Sequence, residues 1–135
     1  MMEITNKFNG KNGTMLIIEG GKTITTLKYF FRKSYDKHVL ETFEIEHLDT
    51  IKEYRCRGYA SKILDNFIKE FGSEYTIILD CYPFELKGDW NNFRIRQKEL
   101  FCFYNKFGFE HCKNFRRIGL GCNSEYGIYM VREIK

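Results

Sequence analysis

Hydrophobic and polar positions along the chain fall into two kinds of repeat. Between Ala60 and Phe71, the residues Ala60, Ile63, Leu64, Phe67, Ile68 and Phe71 recur at helical spacing, polar residues fill every gap, and Gly72 follows as a stop. That pattern predicts an amphipathic helix lying on a sheet. Between Val39 and Leu48 the period is two: Phe43, Ile45 and His47 share one face, and Thr42, Glu44, Glu46 and Leu48 share the other. This strand is expected to point two carboxylates, Glu44 and Glu46, the same way.

The other elements follow from shorter signals. Met15 to Glu19 is an apolar run, Gly20-Gly21 is a turn signal, and Thr23 to Arg32 is rich in Thr, Tyr and Phe, so the N-terminal third reads as a β-meander. Tyr75 to Cys81 reads as a buried strand. With strand 39–48 and the helix it makes a β-α-β unit whose two strands lie side by side and parallel. Pro83 ends that strand, residues 84–93 read as a polar loop, and Arg96 to Phe107 reads as a second helix stopped by Gly108. Glu110 to Ile118 and Tyr126 to Arg132 read as closing strands on either side of a Gly119 to Ser124 turn. The expected order is β-β-β-α-β-α-β-β. No repeat, linker or low-complexity segment interrupts it, so residues 1–135 are expected to form one domain.

Composition and charge narrow the class. A chain of 135 residues has room for one hydrophobic core, and 43% hydrophobic with 30% charged residues and one Pro excludes a disordered or collagen-like polymer. The formal net charge of +4 falls short of a concentrated basic footprint, so a nucleic-acid partner is not expected. No run approaches the roughly 18 apolar residues that span a bilayer, and the start, MMEITNKFNGKNG, lacks the apolar stretch of a secretory signal. A cytoplasmic location and no membrane partner are expected. The five cysteines, Cys56, Cys81, Cys102, Cys112 and Cys122, are odd in number and widely spaced, which points to free thiols. His111-Cys112 lies between Cys102 and Cys122 without the spacing of a zinc site, and no metal is expected. A homo-oligomer is compatible with the sequence.

The chemistry concentrates between the strand and the first helix, in Asp49-Thr-Ile-Lys-Glu-Tyr-Arg-Cys-Arg-Gly-Tyr-Ala60. A helix N-terminus leaves its first amides without partners and carries partial positive charge, so it stabilises an anion without any side chain. Gly58 lets the backbone approach such an anion, and Lys52, Arg55 and Arg57 lie just upstream. Physics alone leaves two readings, a phosphate cradle or an ordinary βα connection with solvated charges.

Arg55-Cys-Arg-Gly-Tyr-Ala60 resembles the Q/R-x-x-G-x-G/A pyrophosphate loop of the GNAT superfamily of acetyl-CoA-dependent N-acetyltransferases, at the place between strand and helix where that family carries it. Leu100-Phe-Cys-Phe-Tyr-Asn-Lys-Phe-Gly-Phe109 is similar to the family's late helix ending in Tyr-x-x-x-Gly-Phe, with matches at Tyr104, Gly108 and Phe109. The two motifs cover roughly residues 39–110. A competing match, of Arg57-Gly-Tyr-Ala60 to the first half of the RNA-recognition-motif signature, fails where Ser61-Lys-Ile-Leu opens a helix instead of a strand.

The resemblance implies an α/β (α+β) fold, a mixed and mostly antiparallel sheet with a central parallel strand pair and flanking helices. It also implies transfer of an acetyl group from acetyl-CoA to a primary amine by direct attack on the thioester. The alternatives are a catalytically silent acyl-CoA-binding sensor or a nucleic-acid module using the basic loop. Such transfer needs a base for an amine with a pKa near ~10, donors for an oxyanion, and an acid for the departing thiolate. By resemblance, Glu44 falls where some members carry the base, with Glu46 second, and Tyr104 falls at the acid. The pantetheine arm would pair along Leu48, Asp49 and Thr50, the oxyanion donor falls at about the Thr50 amide, and Arg55, Cys56, Arg57, Gly58, Tyr59, Ala60 and Ser61 would hold the pyrophosphate.

Two departures stand out. The Asn-x-x-Ala that often opens the late helix is replaced by Gln97-Lys-Glu-Leu100, and no pair of helices separates the first two strands, where the family often builds its acceptor site. Glu85, Asp89 and Trp90, with the turn Gly119 to Glu125, flank the expected mouth of the cleft. Those acids are expected to be solvated loop residues, and the acceptor stays open among small amines, protein N-termini, lysines and antibiotics.

Overall fold

The computed structural model describes residues 1–121 and 124–134. Among the described residues seven strands form one sheet: β1 (Met2–Phe8), β2 (Asn12–Glu19), β3 (Lys22–Arg32), β4 (Thr42–Thr50), β5 (Thr76–Cys81), β6 (Glu110–His111) and β7 (Ile128–Arg132). Helix α1 (Tyr59–Phe71) connects β4 to β5, and α2 (Trp90–Asn105) follows β5. The strand order is β1-β2-β3-β4-β5-β7-β6, with β4 and β5 parallel and every other neighbouring pair antiparallel. This is the mixed, mostly antiparallel α/β sheet with a central parallel pair that the sequence implied. None of the described helices is long and apolar enough to cross a membrane.

Both helices lie on one face. Ile63, Leu64 and Phe67 of α1 and Tyr104 of α2 join Met15, Ile17, Leu27, Tyr29, Phe43, Ile45, Ile77 and Leu79 in one buried cluster. Aromatic rings dominate it: Tyr29 stacks edge-on to Phe67 at 4.8 Å, and Phe43 lies 4.2 Å from Phe71. Gly13, opposite Tyr29 across the β2–β3 ladder, is required there because a Cβ would overlap the tyrosine ring. On the reverse face, among the described residues, a smaller hydrophobic cluster of Ile78, Cys112 and Ile118 is buried, with Phe115 and Leu120 packed against it. No helix among the described residues covers the reverse face of β1 to β4.

Four elements depart from the sequence expectation, each for a local reason. Strand β1 has Asn6 at a core-facing position, where polar residues break the alternation; its amide accepts from the Tyr29 hydroxyl at 2.6 Å and donates to Glu70 at 3.1 Å. Helix α2 begins at Trp90, because Phe93 buries against Tyr82 and Trp90 although Asn91-Asn92 favour a loop. Strand 110–118 shrinks to Glu110–His111, as the Asn114 side chain accepts from the Arg117 amide and starts a tight turn over Arg116–Ile118. The fourth departure is in β4. Lys28 pairs with His47 but Tyr29 pairs with Ile45, so Glu46 is an extra residue, a β-bulge, and the alternation inverts there. Leu48 thereby joins Phe43 and Ile45 against the core instead of sharing a face with Glu44.

Cys56, Cys81, Cys102 and Cys112 are free thiols, while Cys122 and part of the expected Gly119 to Ser124 turn lie outside the described residues.

Candidate active site

Beyond the bulge the two central strands part. The parallel ladder runs from Thr42–Thr76 to Ile45–Leu79 and stops. Strand β4 continues with β3 as far as the Thr25–Thr50 pair, where two buried hydroxyls meet at 3.0 Å, while β5 continues with β7 as far as Cys81–Ile128. From Glu46 to Thr50, the edge of β4 facing β5 therefore has no strand beside it. A cleft of about 750 Å³ fills the opening, walled by β4, the loop before α1, the end of β5 and the inner face of α2.

The loop before α1 is shaped to present backbone. Cys56 has φ +62° and Gly58 has φ +84°, two left-handed residues that turn the chain sharply into the helix. No side chain caps α1, and its first internal bond is from Lys62 N–H to the Gly58 carbonyl, so the amides of Tyr59, Ala60 and Ser61 have no helical acceptor. All three residues line the cleft, as do Gly58 and Cys56. Among the described residues, no atom beyond the two chain neighbours lies within 4 Å of where a Cβ would sit on Gly58.

The cations of this loop do different things. Arg55 folds back, its Nε donating to the Thr50 carbonyl at 2.9 Å and its Nη2 reaching Asp49 at 3.5 Å, so it braces the free end of β4. Arg57 does not line the cleft; its guanidinium lies over the Tyr54 ring at 5.1 Å. Tyr59 is tied down by its hydroxyl, which donates to Glu19 at 2.6 Å and whose own proton is thereby held more tightly than usual. Leu48, Asp49 and Thr50 line the cleft beside the bulge residue Glu46.

The carboxylates and Tyr104 separate by environment. Glu44 does not line the cleft. It is half-buried on the reverse face, bound to Arg32 at 2.9 Å, and burial raises its pKa against the lowering effect of that guanidinium. Glu46 is exposed at the bulge and does line the cleft. A carboxylate that the sequence reading did not single out, Asp80 on β5, also lines the cleft, half-buried and with its pKa raised by burial. Nothing in the sequence marked it except its position next to a buried run. Tyr104 is 8% exposed, packed against Phe103 and Phe109, and its phenol is pushed well above its ordinary value by burial. No hydrogen bond to its hydroxyl occurs among the described residues, and the ring lines the cleft.

At the place of the missing Asn-x-x-Ala, Gln97 ties α2 to the sheet, its Nε2 donating to the Cys81 carbonyl at 3.0 Å and the Tyr126 carbonyl at 2.9 Å. Beside it Cys81 is buried, its thiol pushed up to about 12 by desolvation and by Asp80. Trp90 and Tyr126, 42% and 45% exposed, stack at 4.8 Å next to the cleft residues Tyr82, Pro83 and Glu85. Among the described residues no group of three or more His, Cys, Asp or Glu side chains converges on a metal position.

No family model matches the chain, and no curated protein is similar to it in sequence. Solved structures are similar in fold. The PaiA N-acetyltransferase of Thermoplasma acidophilum, in complex with coenzyme A, is 13% identical with a TM-score of 0.57, over 91% of this chain and 61% of that one. A GNAT-family acetyltransferase of Staphylococcus aureus Mu50 is 16% identical with a TM-score of 0.60, over 94% and 71%. The ribosomal-protein-S18-alanine N-acetyltransferase of Escherichia coli is 14% identical with a TM-score of 0.56, over 96% and 72%. This chain has the fold of the GNAT N-acetyltransferases. It spans about three fifths of the length of the first of them.

Proposed function

We propose that the protein is an acetyl-CoA-dependent N-acetyltransferase acting on a primary amine. The observation that carries this reading is the parting of β4 from β5 past the Ile45–Leu79 pair, directly beside the uncapped start of α1. A thioester carrying a nucleotide needs a slot for an extended arm, an anion site at one end of it, and a proton donor by the sulfur. The cleft offers all three.

The amides of Tyr59, Ala60 and Ser61, with the open space at Gly58, suit a pyrophosphate, and Arg55 and Cys56 complete the loop around it. Arg57, stacked on Tyr54 outside the cleft lining, adds charge to the approach. The unpaired edge of β4 along Leu48, Asp49 and Thr50 suits an extended amide-bearing arm added like a strand. Its edge amides, from the bulge at Glu46 to Thr50, are the donors available to an oxygen that gains charge. Acetyl-CoA supplies the activated acyl group. Tyr104, kept protonated by burial, supplies a proton to the departing sulfur. Glu44, the first candidate base by resemblance, is engaged with Arg32 and could act only through intervening water, whereas Glu46 reaches the cleft directly.

Thiol release from acetyl-CoA, screened against amines, peptides and aminoglycosides, tests this. Release that depends on one class of amine is expected. No release with any acceptor, despite tight binding of acetyl-CoA, would leave an acyl-CoA-binding role in place of catalysis.

A further inference from the structure

Asp80 is built into its position by three neighbours. The Ser124 hydroxyl donates to Oδ1 at 3.2 Å, and the Ile128 backbone N–H donates as well. Gly127 lies directly against the carboxylate, where a Cβ would overlap both Oδ1 and Ser124 Oγ. Its φ is not left-handed, so glycine is needed here for space and not for conformation. Two donors leave part of the acceptor capacity of the carboxylate unused.

The charges around it leave this group uncompensated. On the neighbouring β4, Glu44 is paired with Arg32, and Glu46 sits at the bulge. On β7, Tyr129 is the register partner of Asp80 and offers no cation. From α2, Arg96 is engaged with Glu99 at 3.2 Å and its field is felt at Cys81 and Tyr104. Among the described residues no Lys, Arg or His forms an ion pair with Asp80. A half-buried carboxylate on a cleft wall with no cation of its own is a place for a cation from outside. The opposite wall carries Tyr104, more than nine-tenths buried, with a hydroxyl that has no hydrogen-bond partner among the described residues.

Resting on the acyl-transfer reading above, we propose that Asp80 draws in the ammonium of the acceptor and takes the proton from its nitrogen. The acceptor is then an amine that arrives charged. The ammonium gives one proton to Asp80 and through it to water. The nitrogen lone pair forms the N–C bond to the acyl carbon as the C–S bond breaks, and the electrons of that bond go to sulfur. The second nitrogen proton, acidified by the new bond, passes to Asp80 and on to water, while the Tyr104 proton passes to sulfur and is replaced from water. One proton leaves to solvent per turnover. The upward shift that burial gives the Asp80 carboxylate makes it a better base than an exposed one.

The test compares wild type with Asp80→Asn in thiol release, using acetyl-CoA and an amine the wild type accepts, from about pH 6 to about pH 9. At neutral pH kcat/KM for the amine is expected to fall about 100-fold or more, with acetyl-CoA affinity changed by less than about threefold, and the deficit to narrow as free amine becomes abundant. Ser124→Ala removes a donor that lowers the Asp80 pKa, so its acid limb is expected to move to higher pH. Activity of Asp80→Asn within about threefold of wild type across the range, or an unmoved limb in Ser124→Ala, would overturn the assignment to Asp80 alone. A wild type that binds no acetyl-CoA would remove the acyl-transfer reading beneath it, and the assignment with it.

Discussion

Gly58→Ala separates the two roles a glycine can have in the loop before α1. At φ +84° an L-residue is strained by about 1–2 kcal/mol. Replacing glycine also reduces the freedom of the unfolded chain, which returns about 0.4–1 kcal/mol. With no atom beyond the chain neighbours within 4 Å of the new Cβ there is no steric clash to add, so the net loss of stability is expected to be about 1.6 kcal/mol or less. The methyl group, however, would stand in the open space at Gly58, on the lining of the cleft that the pyrophosphate is proposed to occupy. Acetyl-CoA is therefore expected to bind at least about tenfold more weakly, which is about 1.4 kcal/mol. Urea unfolding gives the first quantity and calorimetric titration the second. A folded variant with unchanged affinity would refute the pyrophosphate reading of the loop. A stability loss of more than about 3 kcal/mol would refute the claim that the position is open.

Two further outcomes follow from the ionisable groups. Tyr104→Phe keeps the ring packing and removes a hydroxyl that has no hydrogen-bond partner among the described residues, so stability should hold while kcat falls by about 100-fold at constant acetyl-CoA affinity; an unchanged kcat would show that sulfur is protonated from elsewhere. In the same assay, the raised phenol pKa predicts that wild-type kcat does not decline as pH passes the ordinary tyrosine value of 10.0 through loss of this proton. For stability, Glu44 has a native pKa above its unfolded one, so its contribution is present below the unfolded pKa and is lost as pH rises through the native one. Glu44→Gln should reduce the fall in the urea midpoint between about pH 4 and about pH 7, and an unchanged fall would contradict the burial argument.

How much of this was legible in the sequence depends on the length scale of the signal. Helix α1 was readable because Ile63, Leu64, Phe67, Ile68 and Phe71 all face one cluster, and the loop before it because Gly58 and the flanking arginines sit at a fixed offset from the helix start. The parallel placement of β4 and β5 followed from the β-α-β rule. What escaped was set by pairs far apart in the chain. Asn6 reads as a strand breaker until Tyr29 and Glu70 are seen to bind it. The bulge at Glu46 exists only as a mismatch of register with β3, and it moved Leu48 to the core face. Asp80 acquires its setting from Ser124, Gly127 and Ile128, more than forty positions downstream. Periodicity finds which residues share a face, but it does not find which loop closes over them.

Calorimetric titration of the purified wild-type chain with acetyl-CoA tests the central claim most directly. Saturable binding of one equivalent, weakened in Gly58→Ala, is the expected result. Absence of any binding heat by a properly folded chain, up to roughly millimolar ligand, would contradict the account, since about 4 kcal/mol of affinity is the least such a cleft must provide.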